Sequence, residues 1–142
     1  WGIDNPTEEN KSFWKGLLYH DAIEDTRATY EHILVMIGKA GADIAMELTQ
    51  PMHMDKADYM ASFVVKSIEA VVGKVADRLC NVDDFFIDSP GYAFKYFHKA
   101  DQVFDTYRER KDEAIARFGL DVTHAIDRDL LDTHGKISDG KK

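Results

Sequence analysis

An all-α fold is what this sequence predicts, and three observations lead there. Two stretches carry the same helix-start signal, "NPTEE" at residues 5–9 and "DSPGYAF" at 88–94, each with a capping residue followed at once by proline. Apolar side chains between Phe63 and Leu79 recur at the three- and four-residue intervals of one helix face. No convincing run alternates apolar and polar residues with the period that a half-buried strand needs.

The elements follow in order. Asn5 caps the first helix, with Pro6 at its first position and Glu8 at its third, and the helix reaches about Ile23. "TRATYEHILVMIG" reads as a short helix closed near Gly38, and "GADIAMELT" as another, with Ile44, Ala45 and Leu48 at helical spacing. "QPMHMD" is a break. From about Lys56 to Asn81 the apolar positions fit one long helix or two abutting ones, and Gly73 is the weak point. Ser89 and Pro90 start a helix that runs to about Phe118 and stops at Gly119. A final helix covers Val122 to Leu131. One domain over 1–133 and a polar, frayed tail over 134–142 complete the chain.

The 142 residues suffice for one domain with a real core. A formal charge of −8 argues against binding a nucleic-acid polymer, which needs clustered Lys and Arg. It leaves room for a nucleotide ligand, because a bound metal reverses the field in one pocket. Cys80 is the single cysteine, so no internal disulfide forms and a reducing, cytoplasmic setting is expected. No apolar run approaches the ~20 residues that span a bilayer, so no membrane partner is expected. No signal-peptide pattern appears. Opening on Trp1 rather than Met, the chain is read as a trimmed or processed product. The sequence carries no signal for oligomeric state.

The chemistry concentrates in "LLYHDAIEDT", residues 17–26, where His20, Asp21, Glu24 and Asp25 crowd onto adjacent turns. Such groups repel one another and draw water toward an apolar face, which a bound cation relieves. Positions three and four apart share a face, so His20 lies near Glu24, and Asp21 near Glu24 and Asp25. An imidazole nitrogen beside a hard carboxylate oxygen suits Mn²⁺, Fe²⁺ or Zn²⁺ better than Ca²⁺. The second half is "KVADRLCN", residues 74–81, in which Asp77 and Asn81 share a face and Lys74 precedes Asp77 by one turn. Val75, Ala76 and Leu79 put this acid at the core boundary, where it needs a partner. An ion pair with Arg78 or Lys74 supplies one; a metal supplies another.

Together, the patterns HDxxEDT and KxADRxxN resemble the HD hydrolase domain of the RelA/SpoT alarmone family. "TYEHILVMIGKAGADIAMELT" and "YFHKADQVF" extend the similarity over residues 14–118, toward the stand-alone small alarmone hydrolases. The resemblance implies an HD-domain helical bundle that binds Mn²⁺ and removes the 3′-pyrophosphate of guanosine tetra- or pentaphosphate, (p)ppGpp. It implies metal ligands at His20, Asp21 and Asp77 and a catalytic acidic pair at Glu24 and Asp25. It implies a substrate-contacting Asn81 and a phosphate-contacting Tyr96. The family's first metal-binding histidine and a guanine-stacking basic residue are expected upstream of Trp1. Two further basic contacts are replaced, near Met52 and at Tyr92; Lys56 and Lys95 stand close enough to substitute, and Lys74 is a further expected substrate contact.

These residue types suit the reaction. A Mn²⁺ ion lowers the pKa of its water, and Glu24 and Asp25 can position that water and move its proton. Two carboxylates in contact split their pKa values, leaving one acid and one base. Two other functions compete with hydrolysis of (p)ppGpp. One is a nucleotide-sensing or interaction module whose HD site has lost activity; the other is a hydrolase of this fold acting on a different nucleotide or phosphorylated metabolite. Outside the motifs, His32, His98, His124 and His134 are expected at the surface or behind the site. Phe94, Phe97, Phe104 and Tyr107 form a stripe expected in the core, and Cys80 is expected to pack as a small apolar residue without special reactivity.

Overall fold

The computed structural model describes residues 1–3, 7–25 and 29–141, and the side chains of these except at 21–25 and 139–141. Among the described residues the chain is all-α, with no strand. The order is α1 (Glu8–Asp25), α2 (Tyr30–Glu47), α3 (Lys56–Ala61), a 3-10 turn (Ser62–Val65), α4 (Ile68–Asp88), α5 (Pro90–His98), α6 (Asp101–Glu109), α7 (Lys111–Phe118) and α8 (Leu120–Lys141).

Side-chain oxygens set where four of these helices begin. The Thr7 hydroxyl accepts from the Asn10 amide at 3.2 Å, so Thr7 caps α1. The expected cap Asn5 and its neighbour Pro6 lie outside the described residues. Thr29 caps α2 through the His32 amide, Asp55 caps α3 through Asp58, and Ser67 caps α4 through Ala70. Gly38, at φ +84°, interrupts α2 and divides it into two arms, at the position where the sequence closes one helix and opens the next.

The segment expected as helical over 56–81 breaks at Lys66–Ser67 rather than at Gly73. Residues distant in sequence hold this break. The Glu47 carboxylate, at the end of α2, accepts from the Ser67 amide and hydroxyl, both at 2.8 Å. The Lys66 ammonium donates to the Glu47 carbonyl at 3.0 Å, and Arg110 Nη1 donates to the Lys66 carbonyl at 2.6 Å and to that of Phe63 at 3.1 Å. Gly73 lies inside α4, packed against Leu48.

Two further corrections follow. The expected single helix from Ser89 to Phe118 is three, α5, α6 and α7, which part near Lys99–Ala100 and at Arg110. The bends let Phe97, Val103, Phe104, Tyr107 and Ala114 all enter the core, whereas one straight rod that long would carry part of its stripe past it. Arg110 leaves the helix line to bind the carbonyls described above. The stop at Gly119 (φ +98°) is where the sequence puts it. Finally, α8 does not end at Leu131. It runs to Lys141, and Ile137 is fully buried in the core, so the stretch expected as a frayed tail is helical to that point.

α4 is the central element. Val71, Val72, Val75, Leu79 and Val82 are buried along it, and it touches α1, α2, α5, α6, α7 and α8. Each such side chain contributes about 1.5–3 kcal/mol by leaving water. A second, smaller cluster joins Ile33, Ile37, Ala42 and Ala45 of α2 to Tyr19 of α1. The two helices approach most tightly at Gly16, where a Cβ would stand 2.7 Å from Ile44 Cβ and 2.9 Å from the Gly41 carbonyl. That crossing sets the last turns of α1 against α4. No described helix is long and apolar enough to cross a membrane.

Candidate functional site

At 100° per residue, Lys74, Asp77, Arg78 and Asn81 share one face of α4, while Ala76, Leu79, Cys80 and Asp83 share the other. The first face lines a pocket of about 160 Å³, with His20 from α1, Gln50, Lys56 and Tyr59 from the α2–α3 region and Tyr96 from α5. The two motifs, widely separated in sequence, therefore meet in one place.

His20 is buried, with 5% of its surface exposed. Its Nδ1 faces the Leu17 carbonyl at 2.5 Å, and a carbonyl only accepts, so Nδ1 carries the proton and donates it there. Nε2 is thereby turned toward Asp77 Oδ1, at 3.5 Å. A bare nitrogen lone pair facing a carboxylate is repulsive, so this pair needs a proton or a cation between its atoms. The separation is longer than a good N–H···O bond. It fits two donors that each stand about 2.0–2.2 Å from one shared ion. Thr49 steadies the same turn, donating to the Ala45 carbonyl at 2.8 Å with its oxygen 3.5 Å from the His20 carbonyl.

Burial by itself pushes the Asp77 carboxyl up. The nearness of His20 and the charges of Lys74 and Arg78 outweigh it, and hold the pKa below the usual carboxylate value. Of the two ion-pair partners open to Asp77, Lys74 is the one that approaches, at 3.5 Å. Arg78 turns elsewhere. It is 2% exposed, its guanidinium carbon lies 4.2 Å from the centre of the Tyr96 ring, and its Nε and Nη1 have no hydrogen-bond partner among the described residues.

Asn81 and Tyr96 are joined directly. Asn81 Nδ2 donates to the Tyr96 hydroxyl at 2.8 Å, which leaves the phenolic O–H to donate to a third group. Burial pushes the Tyr96 pKa up against the opposing effects of Asn81 and Arg78, so the phenol keeps its proton at neutral pH. Phe85 and Tyr92 extend this ring edge-on, with centroids 5.2 Å from Tyr96 and 4.9 Å from each other respectively.

Of the residues singled out by sequence, His20, Lys56, Lys74, Asp77, Asn81 and Tyr96 all line this pocket. Asp21, Glu24 and Asp25 belong to the last turns of α1, and their side chains lie outside the described residues. Lys95 is exposed and does not line the pocket. Among the described residues no group of three or more His, Cys, Asp or Glu is placed to hold a metal ion; His20 and Asp77 supply two donors. Sequence reasoning missed Arg78, Gln50 and Tyr59 as site residues. Arg78 had a readable signal, a charged residue set among Val75, Ala76 and Leu79 on a helix with little solvent-facing surface.

A larger cavity, about 610 Å³, lies on the opposite face of α4, walled by Trp1, Phe13, Trp14, Leu17 and Leu79 with Asp83 and Asp129 at its polar end. Among the described residues its lining holds no His, Lys or Arg side chain. Cys80 borders it, and burial, then Asp83 and Asp77, push its thiol up, away from the reactive thiolate. Comparison with protein-family models, with curated proteins and with solved structures finds no match to this chain.

Proposed function

We propose that the chain is an HD-type, Mn²⁺-dependent phosphohydrolase that removes the 3′-pyrophosphate of guanosine tetra- or pentaphosphate in a cytoplasmic setting. The observation that carries the reading is one geometry: a tautomer-fixed histidine nitrogen facing a carboxylate, in a pocket that Lys56, Lys74 and Arg78 also line. The histidine and the acid suit a transition metal; the cations suit a phosphate chain. The guanosine and 3′-pyrophosphate specificity rests on the likeness of the two motifs to the alarmone hydrolases.

His20 and Asp77, with Asp21, would hold the metal. When bound, Mn²⁺ supplies Lewis-acid polarisation of the phosphoryl group and a nucleophile near neutral pH. Lys56 and Lys74 balance the charge of the pyrophosphate, and Tyr96, oriented by Asn81, donates its O–H to a phosphoryl oxygen. Glu24 and Asp25, one turn past His20, receive the proton of the attacking water and return one to the ribose 3′ oxygen. The 3′ oxygen–phosphorus bond breaks, and pyrophosphate leaves. The pocket admits a phosphoryl group, which keeps a second reading, a hydrolase of another phosphorylated metabolite, in play.

Protein reconstituted with Mn²⁺ tests the proposal by metal content and by pyrophosphate release. The His20→Ala, Asp77→Ala double variant loses bound Mn²⁺, whereas Glu24→Gln keeps it and loses ~10²–10⁴-fold in rate. Unchanged metal content in the double variant, or full turnover in Glu24→Gln, rejects the assignment. Turnover of other phosphate esters without that of (p)ppGpp selects the second reading.

A further inference from the structure

We infer that Arg78 is the oxyanion seat of this pocket, its Nε–H and Nη1–H holding one phosphoryl group of a diphosphate while Tyr96 clamps the guanidinium from one face. The inference rests on the phosphohydrolase reading and deepens it, adding a binding residue and a substrate class.

The guanidinium cannot shed its charge. It is 98% buried and two of its donors are unpaired, a state that native interiors avoid unless an unseen ligand or water completes it. Among the described residues no carboxylate completes it. Asp77, its neighbour in sequence, faces His20 and Lys74 instead. Tyr96 covers one side of the guanidinium, its ring centre 4.2 Å from the guanidinium carbon. A planar fork matches two oxygens of one phosphoryl group, which a lysine in the same place does not.

Size and charge narrow the ligand. About 160 Å³ gives room for a phosphoryl group. Lys56, Lys74 and Arg78 line the pocket together with Asp77, and a guanidinium fork beside ammonium groups suits phosphoryl oxygens. The phenolic O–H of Tyr96, freed by the Asn81 bond, gives the oxyanion a neutral donor beside the charged ones.

Inorganic pyrophosphate is the probe, titrated calorimetrically into EDTA-treated protein, with ¹⁵N spectra of the arginine Nε–H groups recorded in parallel. Pyrophosphate binds the wild type and shifts the Arg78 Nε–H resonance. Arg78→Lys, with a native circular dichroism spectrum, binds about tenfold or more weakly, because it keeps the charge and loses the fork. Arg78→Met binds more weakly still; if it does not fold, Arg78→Lys decides. No binding by the wild type, an unmoved Nε–H signal, or wild-type affinity in folded Arg78→Lys overturns the inference. Because the titration is metal-free, it separates from the enzymatic reading: a protein that binds pyrophosphate through Arg78 yet neither retains Mn²⁺ nor hydrolyses a nucleotide loses that reading and keeps the anion seat.

Discussion

Replacing Asp77 by Asn isolates the electrostatics of the pocket from its shape. The substitution keeps the volume and one acceptor oxygen, and removes the charge that His20 and Lys74 each face at 3.5 Å. Lys74 and Arg78 are 6% and 2% exposed, so the lost charge leaves cations in a poorly solvated site. Removing one partner of a buried pair costs about 3–5 kcal/mol. The Asp77 side chain is 18% exposed and both contacts are long, which brings the expected loss down to about 2 kcal/mol. The folded pKa lies below the unfolded one. The stabilisation is therefore present above the unfolded value, near 3.8, and is lost as pH falls through the lower folded value. Urea unfolding in EDTA checks both statements. Near neutral pH the variant's midpoint drops by about 1 M with the slope unchanged, and below about pH 4 the gap between the two proteins narrows. An Asn variant as stable as the parent at neutral pH, or a gap that ignores acid, would refute the paired carboxylate.

Three other outcomes probe the frame around the site. Gly16→Ala gains about 1 kcal/mol of helix propensity but drives a Cβ to 2.7 Å from Ile44 Cβ; the overpacking cost wins, for a net loss of about 1–2 kcal/mol by denaturant, and a stabilised variant would disprove the tight crossing of α1 and α2. Tyr107→Phe removes a buried hydroxyl that donates to the Thr123 carbonyl or Asp127, at a cost of about 1–2 kcal/mol. Burial, then Asp127, raise the Tyr107 pKa, so its contribution is complete below the unfolded value near 10 and fades above it; thermal melts at rising alkaline pH should converge, and parallel curves would reject the assignment. Ile137→Ala empties a fully buried position and costs about 2–5 kcal/mol, whereas a frayed tail would leave the melting curve unmoved.

What the sequence revealed depended on how local each cause was. Gly38 and Gly119 mark breaks with their own backbone, so both were legible. The break at Lys66–Ser67 was not, because Glu47 and Arg110 make it, and neither is near it in the chain. The partings near Ala100 and at Arg110 carry no glycine or proline; only the need to turn Phe104, Tyr107 and Ala114 toward one core explains them. The reach of α8 was legible in principle, since Ile126, Leu130, Thr133 and Ile137 lie on one helical stripe, and all four are buried. Gly135 and the polar residues around it masked that stripe.

The pocket follows the same division. Spacing alone placed Asp77 with Asn81, and Lys74 one turn before, so this side of the site could be drawn from the sequence. That His20 meets Asp77 depends on the Gly16 crossing and on the Ser67 start of α4, which together fix where the two helices face each other. The isolation of Arg78 depends further on α5 carrying Tyr96 over it, a consequence of packing that no local pattern encodes. The net charge of −8 likewise does not disclose the buried cations Lys74 and Arg78. Over a Debye length of about 8–10 Å the acidic surface is screened in physiological salt, while buried charges are screened far less. An acidic exterior is thus compatible with a pocket that Lys56, Lys74 and Arg78 line.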